Sequence, residues 1–204
     1  MKKILLLLSV ILLTGCEYIS SEKKASSEVN YKKNTFEFKE NTITLTNGYI
    51  KMSPEEFTSR LDSLKTGSPK LKKVAIEELE KIQAKKVDFE LFVHEKNIEN
   101  YVFIYACDYF QLDEDRAANV VTALSNQLKM ESTKQKVRYK RIHGRFFFTP
   151  TSKVVKLKYL KAFEKEKKFQ TEYIVASKSG GIGLLISNLE NVDFESSIKR
   201  LAAK

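Results

Sequence analysis

Apolar residues recur with two periods along this chain, and the changes of period mark its elements. Residues 35–39 and 42–45 alternate polar and apolar positions, which predicts two short strands. Asn47-Gly48 is a tight-turn signal, and Tyr49 to Met52 follows as another strand. Ser53-Pro54-Glu55-Glu56 then opens a helix, with Ser53 as N-cap, Pro54 in the first turn and Glu56 completing a capping box. Phe57, Leu61 and Leu64 form its apolar face, and Gly67 is its expected stop. Ser68-Pro69 opens a second helix with a buried stripe of Leu71, Ala75, Leu79 and Ile82.

Val87, Phe89, Leu91 and Val93 alternate, so a strand comes next. The nearly continuous apolar stretch over residues 101–110 suits a central strand covered on both faces. Asp113 caps a third helix carrying Ala117, Val120, Val121, Leu124 and Leu128 at helical spacing. Three long alternating stretches follow, over 137–148, 154–163 and 169–177. Gly180-Gly181 turns the chain into a last strand over 182–187. Asp193 is expected to cap a closing helix with Phe194, Ile198 and Leu201 on its core face. Runs of hairpin-linked strands with helices between them predict an α+β fold, an antiparallel β-sheet with helices packed on it.

The N-terminal segment changes where this domain is expected to work. Met1-Lys2-Lys3 precedes an apolar run over residues 4–13. The run is too short to span a bilayer, which takes roughly 20 apolar residues, and it has the build of an export signal. Leu13-Thr14-Gly15-Cys16 resembles the lipobox of bacterial lipoproteins. That resemblance implies cleavage before Cys16, acylation of its sulfur and a lipid-anchored protein of the cell envelope. Glu17 in the next position favours the outer membrane in a Gram-negative cell. The organisation expected is a signal peptide over 1–15, a flexible polar tether over 16–34 and one domain over 35–204.

With 42% hydrophobic and 30% charged residues, the composition is that of a globular chain. Cys16 and Cys107 are the only cysteines, so lipidation of Cys16 leaves the fold to stand without a disulfide. Cys107, in an apolar stretch beside Asp108, reads as an inert structural thiol.

Formal net charge is +10, and it is uneven. From Lys129 to Lys168 fourteen Lys and Arg face only Glu131, Glu164 and Glu166. Such a field attracts anions, whether lipid headgroups, an acidic polysaccharide or an acidic protein. An envelope location makes nucleic acid an unexpected partner. Arg138, Lys140, Lys156 and Lys158 are read as a basic sheet face, on which solvated cations also keep sheet edges soluble. Strict alternation puts Arg141, His143 and Arg145 on one face of one strand, a geometry suited to holding a phosphate or carboxylate.

Little in the chain points to catalysis. His94 and His143 are far apart and have no cysteine pair between them, which is not zinc-site spacing. Asp113-Glu114-Asp115 complements a helix start and lacks calcium-loop spacing. Gly180-Gly181-Ile182-Gly183 lacks the Lys-Ser/Thr ending of a phosphate loop. Ser177, Ser179 and Ser187 lack a nucleophile elbow. No cofactor, metal or catalytic residue is expected.

The order of elements resembles the PsbP-like family, the α/β/α sandwich shared by a photosystem extrinsic subunit and a Ran-binding nuclear import factor. Three stretches carry the resemblance. They are Asn47-Gly48-Tyr49-Ile50-Lys51-Met52-Ser53-Pro54-Glu55-Glu56-Phe57, then Ile142-His143-Gly144-Arg145, then residues 172–175 with 180–187. The chain departs from the family's early Pro-Gly-Trp, having Asn47-Gly48-Tyr49. The resemblance implies a largely non-catalytic domain and envelope lipoproteins among its bacterial members. The function expected is therefore a binding or assembly accessory module. The alternatives are an immunity or inhibitor lipoprotein that blocks a toxin enzyme, and a small hydrolase built on His143.

Overall fold

Capping residues start the helices where their hydrogen-bond chemistry allows. In the computed structural model, which describes residues 23–24, 35–46, 48–65, 68–108, 111–135, 137–163, 166–178 and 180–203, the Ser53 hydroxyl accepts the Glu56 N–H at 3.1 Å and opens α1 (Pro54–Ser63). Ser68 accepts the N–H groups of Lys70 and Leu71 and opens α2 (Pro69–Ala84). Asp113 accepts the Arg116 N–H at 2.8 Å ahead of α3 (Glu114–Gln135). Each contact satisfies a backbone donor that the first helical turn leaves without a partner. The fourth helix differs from expectation. α4 (Glu195–Lys199) is one turn long and starts after Phe194 without a side-chain cap, while Asp193 accepts the Glu195 N–H from the preceding strand. The leader, Cys16, Asn47 and Gly67 lie outside the described residues.

The strands are β1 (Lys23–Lys24), β2 (Thr35–Phe38), β3 (Asn41–Thr44), β4 (Tyr49–Met52), β5 (Phe89–His94), β6 (Asn97–Cys107), β7 (Arg138–Phe148), β8 (Ser152–Phe163), β9 (Glu166–Ser177), β10 (Gly180–Asn188), β11 (Val192–Asp193) and β12 (Ala202–Ala203). Seven of them form one sheet in the order β4-β5-β6-β10-β9-β8-β7, every neighbouring pair antiparallel. β2, β3 and β12 form a smaller antiparallel sheet, and β1 pairs with β11 in parallel. The α+β class predicted from the pattern of strands and helices is the class observed.

The two faces of the large sheet are covered differently. Phe57 and Leu61 of α1 and Ala75, Leu79 and Ile82 of α2 pack on Leu91, Phe103, Tyr105 and Leu185. The other face carries Val102, Ile104, Tyr173, Val175, Ile182 and Leu184 against Phe38, Ile43, Leu45, Phe194, Ile198 and Leu201, so the small sheet and α4 form the second cover. Burying side chains such as Phe57 and Leu61, both at 0% exposure, contributes roughly 1.5–3 kcal/mol each. Residues 101–105 of β6 are buried on both faces, as their unbroken apolar run requires.

α3 lies on the helix face, over β7 and β8. Of the apolar positions predicted for it, only Ala117 is buried, and Val120, Val121, Leu124 and Leu128 are half-buried. A helix seated this lightly leaves space between itself and the sheet.

Candidate functional site

The large sheet buries ionisable groups on both faces, and strand parity decides which belong together. On β8, Val155, Leu157, Tyr159 and Lys161 face the helices, whereas Val154, Lys156 and Lys158 face the small sheet. On β9 the helix-facing row is Lys168, Gln170, Glu172 and Ile174.

On the helix side, Glu78 of α2 is the hub. One carboxylate oxygen accepts from Lys161 Nζ at 2.6 Å and the other from the Tyr101 hydroxyl at 2.6 Å. Burial pushes the Glu78 carboxyl up, but the charges of Lys161 and Lys168 outweigh it and hold the group below its ordinary value. Lys168 is fully buried, with Nζ 4.0 Å from the centre of the Tyr101 ring. Burial lowers it to about 8, against the pull of Glu78 in the other direction. A second ion pair ties the helices together: Lys81 of α2 donates to Glu131 of α3 at 2.8 Å, and Tyr139 donates to the same carboxylate at 3.2 Å.

Between these two ion pairs lies a cavity of about 180 Å³. Its floor is the sheet, with Tyr105, Tyr159, Gln170 and Glu172, and its walls are α2 and α3. Glu172 accepts the Tyr159 hydroxyl at 3.3 Å, and burial raises its carboxyl above the usual range. The Gln170 side-chain oxygen is buried without a hydrogen-bond partner among the described residues. Leu128 and Tyr159 also line a wider groove of about 590 Å³ between α3 and β7–β8, to which Arg141, Tyr139 and Lys129 contribute. The two spaces form one cleft under α3.

Gly183 shapes the cavity floor. A Cβ there would sit 2.1 Å from the Tyr105 ring, so only glycine lets that ring lie over β10. Cys107 lines the same cavity, and burial raises its thiol, with Asp108 adding to the rise and Lys85 opposing it. An inert thiol fits that setting.

The residues singled out in the sequence are placed differently from expectation. A β-bulge between Arg141 and His143 sets Arg141 opposite Tyr159 but His143 opposite Lys158, and those two partners face opposite sides of the sheet. Arg141 therefore enters the groove under α3, while His143 and Arg145 turn to the other face, and the expected three-residue anion site is not assembled. Arg145 instead pairs with Glu195 at 3.0 Å, an anion supplied by the chain itself. The basic face is also divided. Arg138 and Lys140 are exposed, but Lys156 and Lys158 are 2% and 1% exposed. Lys156 pairs with Asp193 at 3.3 Å and Glu195 at 3.0 Å, and Lys158 donates to the Val192 carbonyl at 2.9 Å. These lysines hold β11 and α4 to the sheet.

His143 is exposed on the edge strand β7 and lines neither space of the cleft. His94 stacks edge-on with Tyr49 and accepts the Lys96 N–H, a structural role. Asp113 serves as a helix cap, and Ser177 donates to the Gly180 carbonyl inside its hairpin. Among the described residues, no group of three or more His, Cys, Asp and Glu could hold a metal ion. Sequence reading missed the Glu78 network. Its only signal was a glutamate at position 78 on the same helical stripe as Leu71, Ala75, Leu79 and Ile82.

No family model matches the chain, and no curated protein matches it. Among solved structures it is similar to the solution structure of cyanobacterial PsbP (CyanoP) from Synechocystis sp. PCC 6803, with 9% identity, 81% of this chain and 88% of that chain covered, and a TM-score of 0.47.

Proposed function

We propose that this chain is a lipid-anchored, non-catalytic envelope module that binds its partner in the cleft under α3. The cleft is the observation that carries the reading. It joins a polar inner cavity to a wider groove, and its inner wall holds a side-chain oxygen without a partner and a carboxyl with one long hydrogen bond. Specific ligand sites have this build, a concave space with a few converging polar groups. The division of the basic face moves the proposed contact away from Lys156 and Lys158, which are engaged internally. The exposure of His143 on an edge strand, outside both spaces of the cleft, favours this reading over a hydrolase centred on it.

The anchor rests on Leu13-Thr14-Gly15-Cys16. Two or more acyl chains are needed for durable attachment, since one chain binds only marginally. Two measurements test the reading. Mass spectrometry of the native protein should find Cys16 as the acylated first residue, and Cys16→Ser should leave the protein unacylated. Amide exchange across α3, with and without a crude extract of envelope small molecules, should show protection there. An unmodified Cys16 would remove the anchor. Unchanged exchange in α3 would remove the cleft as the binding site.

A further inference from the structure

The charges around the inner cavity can be followed one by one. Lys161 is engaged by Glu78 at 2.6 Å and Lys81 by Glu131 at 2.8 Å. The Lys85 ammonium lies 4.5 Å over the Tyr105 ring. Of the carboxylates lining the cavity, Glu78 and Glu131 therefore have cations in direct contact, while Glu172 accepts the Tyr159 hydroxyl at 3.3 Å, long for an O–H···O bond. The neighbouring Gln170 oxygen, on a residue only 4% exposed, is a second acceptor without a donor. Two tyrosine rings, Tyr105 and Tyr159, complete this part of the wall. Two acceptors side by side match the recognition of a protonated amine through charge-assisted hydrogen bonds, while the Tyr105 face is already taken by Lys85.

Resting on the reading of the cleft as a binding site, we infer that the inner cavity takes the ammonium group of a small primary amine, held by Glu172 and Gln170. Burial raises the Glu172 carboxyl, against the Tyr159 hydrogen bond and the more distant charges of Lys85 and Lys161, neither of which is in ion-pair contact with it. The volume, 180 Å³, corresponds to about six waters at liquid density, which limits the buried part of the ligand to the size of ethanolamine or putrescine. A longer amine would extend past Leu128 and Tyr159 into the outer groove.

Isothermal titration of the purified full chain tests this with ethanolamine and putrescine as amines, acetate and succinate as anions, and ethylene glycol as the neutral control. At least one amine should bind at least tenfold more tightly than every anion and the neutral control. Glu172→Gln, which keeps the side-chain volume, should weaken that amine at least tenfold. Leu124→Phe, which fills the cavity from α3, should abolish its binding. Tighter binding of an anion, or amine binding untouched by Glu172→Gln, would overturn the amine assignment and leave the cleft as a site for another ligand. Binding of no probe would overturn the amine assignment alone, and amide exchange in α3 separately decides the cleft.

Discussion

Glu78 and Lys161 meet at 2.6 Å although 83 residues separate them, one on the inward stripe of α2 and the other near the C-terminal end of β8. Both are almost wholly buried, at 3% exposure each. A buried pair of this kind is costly to desolvate and more costly to break than to replace.

Glu78→Ala should destabilise the fold by about 3–5 kcal/mol, because it leaves Lys161 and Lys168 buried without their carboxylate. Replacing both partners, Glu78→Leu with Lys161→Met, should cost much less than the single change. Urea unfolding measures both. A double variant as unstable as Glu78→Ala would contradict this account of the pair.

Stability should vary with pH at both ends of the range. Glu78 is held below its unfolded value, so its contribution is complete above the unfolded carboxylate range and is lost as pH falls through the lower folded value. Lys168 is lowered to about 8 in the folded state. Between that value and about 10.4, the ordinary lysine value, the unfolded chain holds the proton and the folded chain does not, so the Lys168 contribution rises with pH in that window, opposed towards pH 10 by the buried tyrosines, which keep protons that the unfolded chain releases. Lys168→Met should remove that contribution, so the urea midpoint of the unsubstituted chain relative to the variant should rise between pH 7.5 and pH 9.

Exposed and buried cations of β7 and β8 should separate in a charge-reversal series. Lys156→Glu places a third acid beside Asp193 and Glu195 in a buried site and should cost about 3 kcal/mol or more. Arg138→Glu and Lys140→Glu, on exposed positions of an edge strand, should stay within about 0.5 kcal/mol. Thermal unfolding of the three variants checks the order.

Gly183→Ala should cost about 1–3 kcal/mol through overpacking, since the new methyl would lie 2.1 Å from the Tyr105 ring. The displaced ring must move within the cavity it lines, so amine binding should weaken in the same variant. Calorimetric unfolding and titration on one sample read both effects.

The sequence determined what depends on neighbours along the chain. Ser53-Pro54, Ser68-Pro69 and Asp113 set the three long helix starts, because capping is a contact over two or three residues. Alternation fixed β7, β8 and β9, the Gly180-Gly181 signal pointed to β10, and the run of strands gave the antiparallel α+β class. The tertiary structure decided the rest. One bulge after Arg141 reversed the face of His143 and Arg145, since a single extra residue inverts strand parity. Lys156 and Lys158 look like surface charges by composition, yet strands and a helix turn from the far end of the chain bury them. Glu78, Lys161 and Glu172 come from three elements whose side chains meet only after the sheet is formed and α2 and α3 dock on it. Periodicity reports which way a side chain points, whereas the partner it meets is set by the packing of elements distant in sequence.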